Sequence, residues 1–132
     1  MNGFIPTIFD RLTALSDPTR SRLLALLDRH ELTVTELCAV TQLPQSTVSR
    51  HLKVLGDGGW VASRADGTSR RYRAMSDRLD PSARRLWTLV REQVSAAPAA
   101  QNDAQRLRSV LAERRSASQE FFSTAAVQWD RL

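Results

Sequence analysis

The run Gln45-Ser46-Thr47-Val48-Ser49-Arg50-His51-Leu52-Lys53-Val54-Leu55 carries the residue types and spacing needed to meet an anion. Val48, Leu52 and Leu55 recur at i, i+4 and i+7, which on a helix makes a single buried stripe. At roughly 100° per residue, Ser46, Arg50 and Lys53 fall opposite that stripe, with Thr47 and Ser49 on its flanks. The outer face therefore offers hydroxyls and cations without a carboxylate, on side chains short enough for close approach to a polyanion.

The element ahead of this helix must fix its angle. Thr33-Val34-Thr35-Glu36 has the form of a capping box, worth roughly 1 kcal/mol, and starts a helix whose Leu37 and Val40 face the core. Gln42-Leu43-Pro44 then breaks it, because Pro44 disfavours helical geometry at Leu43 while fitting the start of the next helix. Helix, short turn and polar helix make a helix-turn-helix pattern, with Gln45, Ser46, Thr47, Ser49, Arg50 and Lys53 as its reading face. An ordinary amphipathic helix pair with a solvated outer face is the bland alternative.

Gly56-Asp57-Gly58-Gly59 stops the second helix at a position needing positive φ. Trp60-Val61-Ala62-Ser63-Arg64 and Arg70-Arg71-Tyr72-Arg73-Ala74-Met75 follow as two strand-compatible runs, with Asp66-Gly67 between them as a hairpin signal. This places Arg64, Arg70, Arg71 and Arg73 on one hairpin, with Thr68 and Ser69 near its tip. A basic two-stranded wing after a helix-turn-helix would reach phosphates or the minor groove beside the helix. Arginines kept only for solubility are the alternative, but the charge is not spread evenly. Residues 1–44 carry four cations and five anions, whereas residues 45–91 carry ten cations and four anions, so the net +5 is concentrated on the reading half.

Leu15-Ser16-Asp17-Pro18-Thr19-Arg20 followed by Arg22 through Leu27, then Glu36-Leu37-Cys38, the Ser46–Leu55 helix and the basic hairpin resemble the ArsR (arsenical-resistance repressor) family in order and spacing. The resemblance covers residues 4 to about 97. It implies a mainly α fold with a small β-hairpin wing: a dimeric winged helix-turn-helix that binds a pseudo-palindromic operator and releases it when an effector binds. It also implies that the first and last helices of the domain form the dimer interface.

The residues agree with that plan locally. Asp17 caps a helix starting at Pro18, whose packing face is Leu23, Leu24, Leu26 and Leu27. Ile5, Ile8, Phe9, Leu12 and Leu15 form an apolar stripe upstream, and Ala83, Leu86, Trp87, Val90 and Val94 form another after Asp80-Pro81. Ile5, Ile8, Phe9, Leu12, Leu86, Trp87, Val90 and Val94 are thus the expected dimer contacts, although stripes like these also pack within one protomer. A dimer would hold two reading heads roughly 34 Å apart, one turn of DNA.

Effector chemistry departs from the best-known members of the family. Where many of them have two cysteines one residue apart, this chain has Cys38-Ala39-Val40, and Cys38 is its one cysteine. Soft-metal sites need two to four ligands, and the helix after Asp80 has no histidine to complete the other familiar site. No metal is expected. Cys38 reads as a small buried residue, His30 as the end of the second helix, and His51 as packing or a phosphate contact. No Ser-His-Asp arrangement, paired carboxylates, phosphate loop or zinc-ligand spacing appears, so no catalytic residues are assigned and no enzyme activity is expected. The chain has no leader-like start or membrane-length apolar run, and a cytoplasmic protein is expected.

Three segments are expected: residues 1–97 as the winged-helix and dimerisation domain, 98–103 as a linker with a proline stop, and 104–132 as an amphipathic helix. Leu107, Val110, Leu111, Ala117, Phe121, Phe122, Ala125, Trp129 and Leu132 make its apolar side. The segment from Arg114 to Asp130 resembles the junction before a class I methyltransferase domain. That resemblance implies a longer natural protein whose missing C-terminal domain would bind S-adenosylmethionine or S-adenosylhomocysteine as effector. The expected function is a sequence-specific DNA-binding transcriptional regulator, a repressor acting as a homodimer on double-stranded DNA. Two competitors remain open: a winged-helix docking module for a methyltransferase, and a repressor using an effector site between its terminal helices.

Overall fold

The computed structural model describes residues 5–130, with side chains as far as Phe122. Helix starts are set locally. Thr7 and Asp10 form a capping box on α1 (Ile8–Leu15). The Asp17 carboxylate accepts the backbone N–H groups of Thr19 and Arg20 at 2.8 and 3.2 Å, ahead of Pro18 in α2 (Pro18–Arg29). Thr33 and Glu36 form the expected capping box on α3 (Val34–Thr41). Gln42 then takes a left-handed φ of 61°, and Pro44 stands extended before α4 (Gln45–Asp57).

The wing is longer than its sequence signal. Strands β2 (Val61–Asp66) and β3 (Ser69–Ala74) pair antiparallel, and Gly67 makes the turn at φ 61°. Leu32–Thr33, here β1, adds a third strand beside β3 that the sequence did not announce, because two residues are too few for a periodic signal. A short 3-10 turn, Ser76–Arg78, leads into α5 (Pro81–Ala96), capped by Asp80.

The core lies where α2, α3, α4 and α5 converge behind the sheet. Leu23, Leu24, Leu37, Val40, Val48, Leu52, Leu55 and Trp60 are buried there. Trp87, expected at the dimer interface, belongs to this core instead. It is 2% exposed, and its indole N–H donates to Asp28 at 2.7 Å. A side chain this fully covered by its own protomer has no apolar surface left for a partner. Leu86 and Val90 are partly buried against the same core. Ile5, Ile8, Phe9 and Leu12 remain exposed, joined by Leu89 on α5.

The segment 98–103 is helical, not a linker. Only Ala97 separates α5 from α6 (Pro98–Asp130), because Pro98 takes the first position of the new helix, where its missing N–H costs nothing. The helix docks on the domain through Leu107, which is 2% exposed, with Val110 and Leu111 beside it. Three arginines tie it down. Arg22 donates to both oxygens of Asp103 at 2.9 and 2.8 Å, Arg106 reaches the carbonyl of Val40 at 3.4 Å, and Arg114 grips both oxygens of Glu36 at 3.0 and 2.7 Å. Ala117, Phe121 and Phe122 lie beyond these ties and are exposed. The side chains of Ala125, Trp129 and Leu132 fall outside the described residues. Among the described residues no helix is long and apolar enough to cross a membrane.

Asp103→Ala should lower stability by about 2 kcal/mol in urea or thermal unfolding. It strands a guanidinium that is partly open to water, which places the loss below the roughly 3–5 kcal/mol of a fully buried pair. Exposed Lys53→Ala, which opens a surface pair with Asp57, should change little. A stable Asp103→Ala protein would contradict the docking of α6.

Candidate nucleic-acid interface

Helix α4 is clamped from one side only. Val48, Leu52 and Leu55 are fully or nearly fully buried, and the opposite face is open. Gln45, Ser46, Ser49, Arg50 and Lys53 are exposed, while Thr47 is half-buried on the flank. None of the side chains from Gln45 to Arg50 on that face bonds to another described residue, so their donors and acceptors are free for a ligand. Lys53 is the exception, lying 3.3 Å from Asp57 one turn on, a contact exposed enough to yield to a phosphate. Pro44 supplies no side-chain cap, so the first backbone N–H groups of α4 also point outward unpaired by one.

The position of α4 is secured by His51, which the spacing placed at the border of the apolar stripe. His51 is buried, 7% exposed, and Arg20 of α2 lies 3.4 Å from its Nδ1. A guanidinium can only donate, so this contact suits a neutral ring with its proton on Nε2. Burial pushes the His51 pKa below 6.5, Asp17 opposes that shift, and the charges of Arg20 and Arg50 reinforce it. Arg20 also donates to the carbonyls of Ala14 and Thr13, pinning the turn between α1 and α2 beneath α4. His51 is thus a packing residue, and the phosphate contact weighed for it has no exposed ring to make it.

The wing arginines divide into two groups. Arg70 is exposed and bonds only the Ser63 hydroxyl, at 3.1 Å, and Thr68 and Ser69 are exposed at the tip. Arg73 is exposed without a bonded partner among the described residues. Arg64 is exposed but held by Glu31 at 2.9 Å. Arg71, expected as a phosphate contact, is turned inward: it pairs with Asp66 and lies 3.8 Å from Glu36. The cause is register. Arg71 stands opposite Arg64 on β2 and Thr33 on β1, beside the capping glutamate of α3, so its charge serves the fold. Burial works against the Glu36 carboxylate, but the Thr33 N–H, the Arg114 guanidinium and Arg71 outweigh it and hold its pKa below 4.5. This network, unreadable from spacing, joins the wing to α3 and α6.

Cys38 is half-buried, and burial pushes its thiol pKa up, away from the thiolate that a metal would need. Among the described residues no three histidine, cysteine or acidic side chains gather as a metal site.

Residues 17–63 match the family described as bacterial regulatory proteins of the arsR family. A probable mercury resistance operon repressor of Streptomyces lividans is 44% identical over 59 residues, which is 45% of this chain and 47% of that protein. The arsenical resistance operon repressor of Staphylococcus xylosus is 38% identical over 69 residues, 52% of this chain and 66% of that one. The matched region thus spans about half to two thirds of the length of these curated relatives. Two solved structures share the fold over most of their length. A possible transcriptional regulator for arsenical resistance has a TM-score of 0.50 at 32% identity, covering 73% of this chain and 95% of that one. The winged helix-turn-helix DNA-binding domain of a possible ArsR-family regulator from Mycobacterium bovis, described as homodimeric, has a TM-score of 0.56 at 26% identity and covers 74% and 94%. None of these descriptions names a methyltransferase.

The buried, neutral His51 has a consequence for stability. With its folded pKa below 6.5, the unfolded chain takes up a proton first as pH falls through 6.5. Stability is therefore complete above that pH and declines below it, until the folded ring also titrates. Urea midpoints measured from pH 7.5 to 5 should fall on the acid side, and His51→Gln should flatten that part of the curve. An unchanged slope in the variant would contradict a buried neutral ring.

Proposed function

Because this chain belongs to the arsR family of bacterial regulatory proteins, we propose that it is a transcriptional repressor that binds a pseudo-palindromic operator as a homodimer and answers to a small effector. The observation that carries this reading is the open face of α4, where Arg50 stands exposed among Gln45, Ser46 and Ser49. A guanidinium can take O6 and N7 of a guanine at once, and a short hydroxyl-bearing helix enters the major groove without obstruction. Arg70, Arg73, Thr68 and Ser69 then lie on or near the wing, where they would hold neighbouring phosphates.

Dimerisation follows from the apolar surface left uncovered. Ile5, Phe9 and Leu89 are 84%, 73% and 64% exposed, with Ile8 and Leu12 beside them. Helices α1 and α5 pack together, so the exposed apolar side chains of the two lie on neighbouring elements. Exposed leucine, isoleucine and phenylalanine gathered in this way mark an interface, and a second copy would set the two α4 helices symmetrically. Trp87 takes no part, and Leu89 takes the place expected for it.

The test is a titration of the protein, by fluorescence anisotropy, against DNA upstream of its own gene and against a scrambled duplex at two salt concentrations. Two protomers per site and sequence-dependent binding are expected. Arg50→Ala should cost about 1–3 kcal/mol on the operator alone. Arg73→Ala should weaken both duplexes alike and reduce the salt slope by about one, the mark of a phosphate contact. Weak binding, equal on both duplexes and abolished by modest salt, would contradict the reading.

A further inference from the structure

A cavity of about 640 Å³ opens between α2, α5 and α6, and its chemistry points to a ligand. One wall is apolar: Val94 from α5, Ala25 from α2 and Ala100 and Ala104 from α6, with Trp87 and Leu26 closed beneath it. The volume falls within the range of roughly 300–1,000 Å³ that suits small organic ligands. The polar lining is unevenly balanced. Four guanidinium groups, Arg22, Arg29, Arg84 and Arg91, border it against the carboxylates of Asp28, Asp77 and Asp103.

Two of those carboxylates are already satisfied. Asp103 takes both donors of Arg22, and Asp28 accepts from Arg91 at 3.0 Å, from the Trp87 indole at 2.7 Å and from the Ser76 hydroxyl at 3.2 Å. Arg84 donates only to the backbone carbonyl of Asp77, at 3.3 Å, and Arg29 has no bonded partner among the described residues. The cavity therefore presents two guanidinium groups, Arg29 and Arg84, against one uncommitted carboxylate, Asp77, beside an aliphatic wall. A single anionic group on an apolar body answers both features, whereas a cation would meet the excess positive charge and a polyphosphate would waste the apolar wall.

We propose that this cavity is the effector site of the protein and takes a small organic monocarboxylate with an aromatic or branched aliphatic body. The carboxylate pairs with Arg29 and Arg84, and the body lies against Val94 and Ala104. The location suits a switch. Helix α2 packs under α4, and Arg22 reaches from the cavity to the carbonyl of Thr41 at the end of α3. Helix α5 bears Leu89 on the apolar surface assigned to the second copy. A ligand wedged between α2 and α5 therefore shifts the reading half against the pairing half. The spacing of the two α4 helices on DNA changes with it.

The effector role rests on the repressor reading, and the test keeps the two apart by measuring operator affinity first without ligand. Calorimetric titrations then use 1-naphthylacetate, 4-phenylbutyrate and octanoate as probes, with 1-naphthylacetamide and 1-naphthylmethylamine as neutral and cationic controls of matching shape. At least one acid should bind once per protomer, the controls at least tenfold more weakly. The double variant Arg29→Ala, Arg84→Ala should weaken the acid at least tenfold, and Ala104→Phe should block it. Operator affinity at saturation should change at least threefold. Absence of binding by all three acids, equal binding of acid and amide, or an unchanged operator affinity at saturation would overturn the proposal while leaving ligand-free operator binding intact. Because both arginines are exposed at their positions, the double variant tests the site even if Ala104→Phe fails to fold. Loss of operator binding without any ligand would instead remove the repressor reading itself.

Discussion

A helix that reads DNA must be gripped along one side and left bare along the other, and the burial of Val48, Leu52 and Leu55 does both for α4. Those three side chains leave no freedom to rotate the helix about its axis without exposing apolar surface at roughly 25 cal/mol per Å². Arg50, Ser46 and Ser49 are consequently fixed outward. His51 extends the grip at the edge of the stripe, where Arg20 meets its ring and ties α4 to the α1–α2 turn. The polarity of the reading face is thus set by the packing of its back.

The economy of arginines follows from that division. Arg50, Arg70 and Arg73 face outward and keep their charge for a partner, whereas Arg11, Arg22, Arg71 and Arg114 are spent on the fold. Arg11 is the extreme case: it is buried, lies 5.4 Å from the centre of the Trp60 ring, and donates to the carbonyl of Gly58 and toward Asp80. That group joins α1 to the end of α4 and the start of α5. A net positive charge says nothing about which arginines do which, since exposure and partner decide it.

Local signals carried most of the fold. The Thr33–Glu36 capping box, the break at Pro44, the stripe of α4 and the Asp66-Gly67 turn are written in neighbouring residues, and each appears where the spacing put it. The errors lie where distant residues decide. Pro98 reads equally as a stop or as the first residue of a helix, and the choice belongs to Arg22, 81 positions from its partner Asp103. Arg71 is held by Asp66 within the hairpin as well as by Glu36 on another element, and Trp87 reads as an interface residue because its bond to Asp28 spans 59 positions. The cavity between α2, α5 and α6 was likewise invisible, since it needs α6 docked before it has a third wall.

The central claim is that α4 lies in the major groove, once per half-site. The most direct measurement attaches an iron chelate to Ser49→Cys in a Cys38→Ala background and maps where it cuts operator DNA. Two clusters of cleavage are predicted, centred about one helical turn, roughly 10 base pairs, apart. A uniform ladder of cuts, or a single cluster, would contradict a symmetric pair of reading helices.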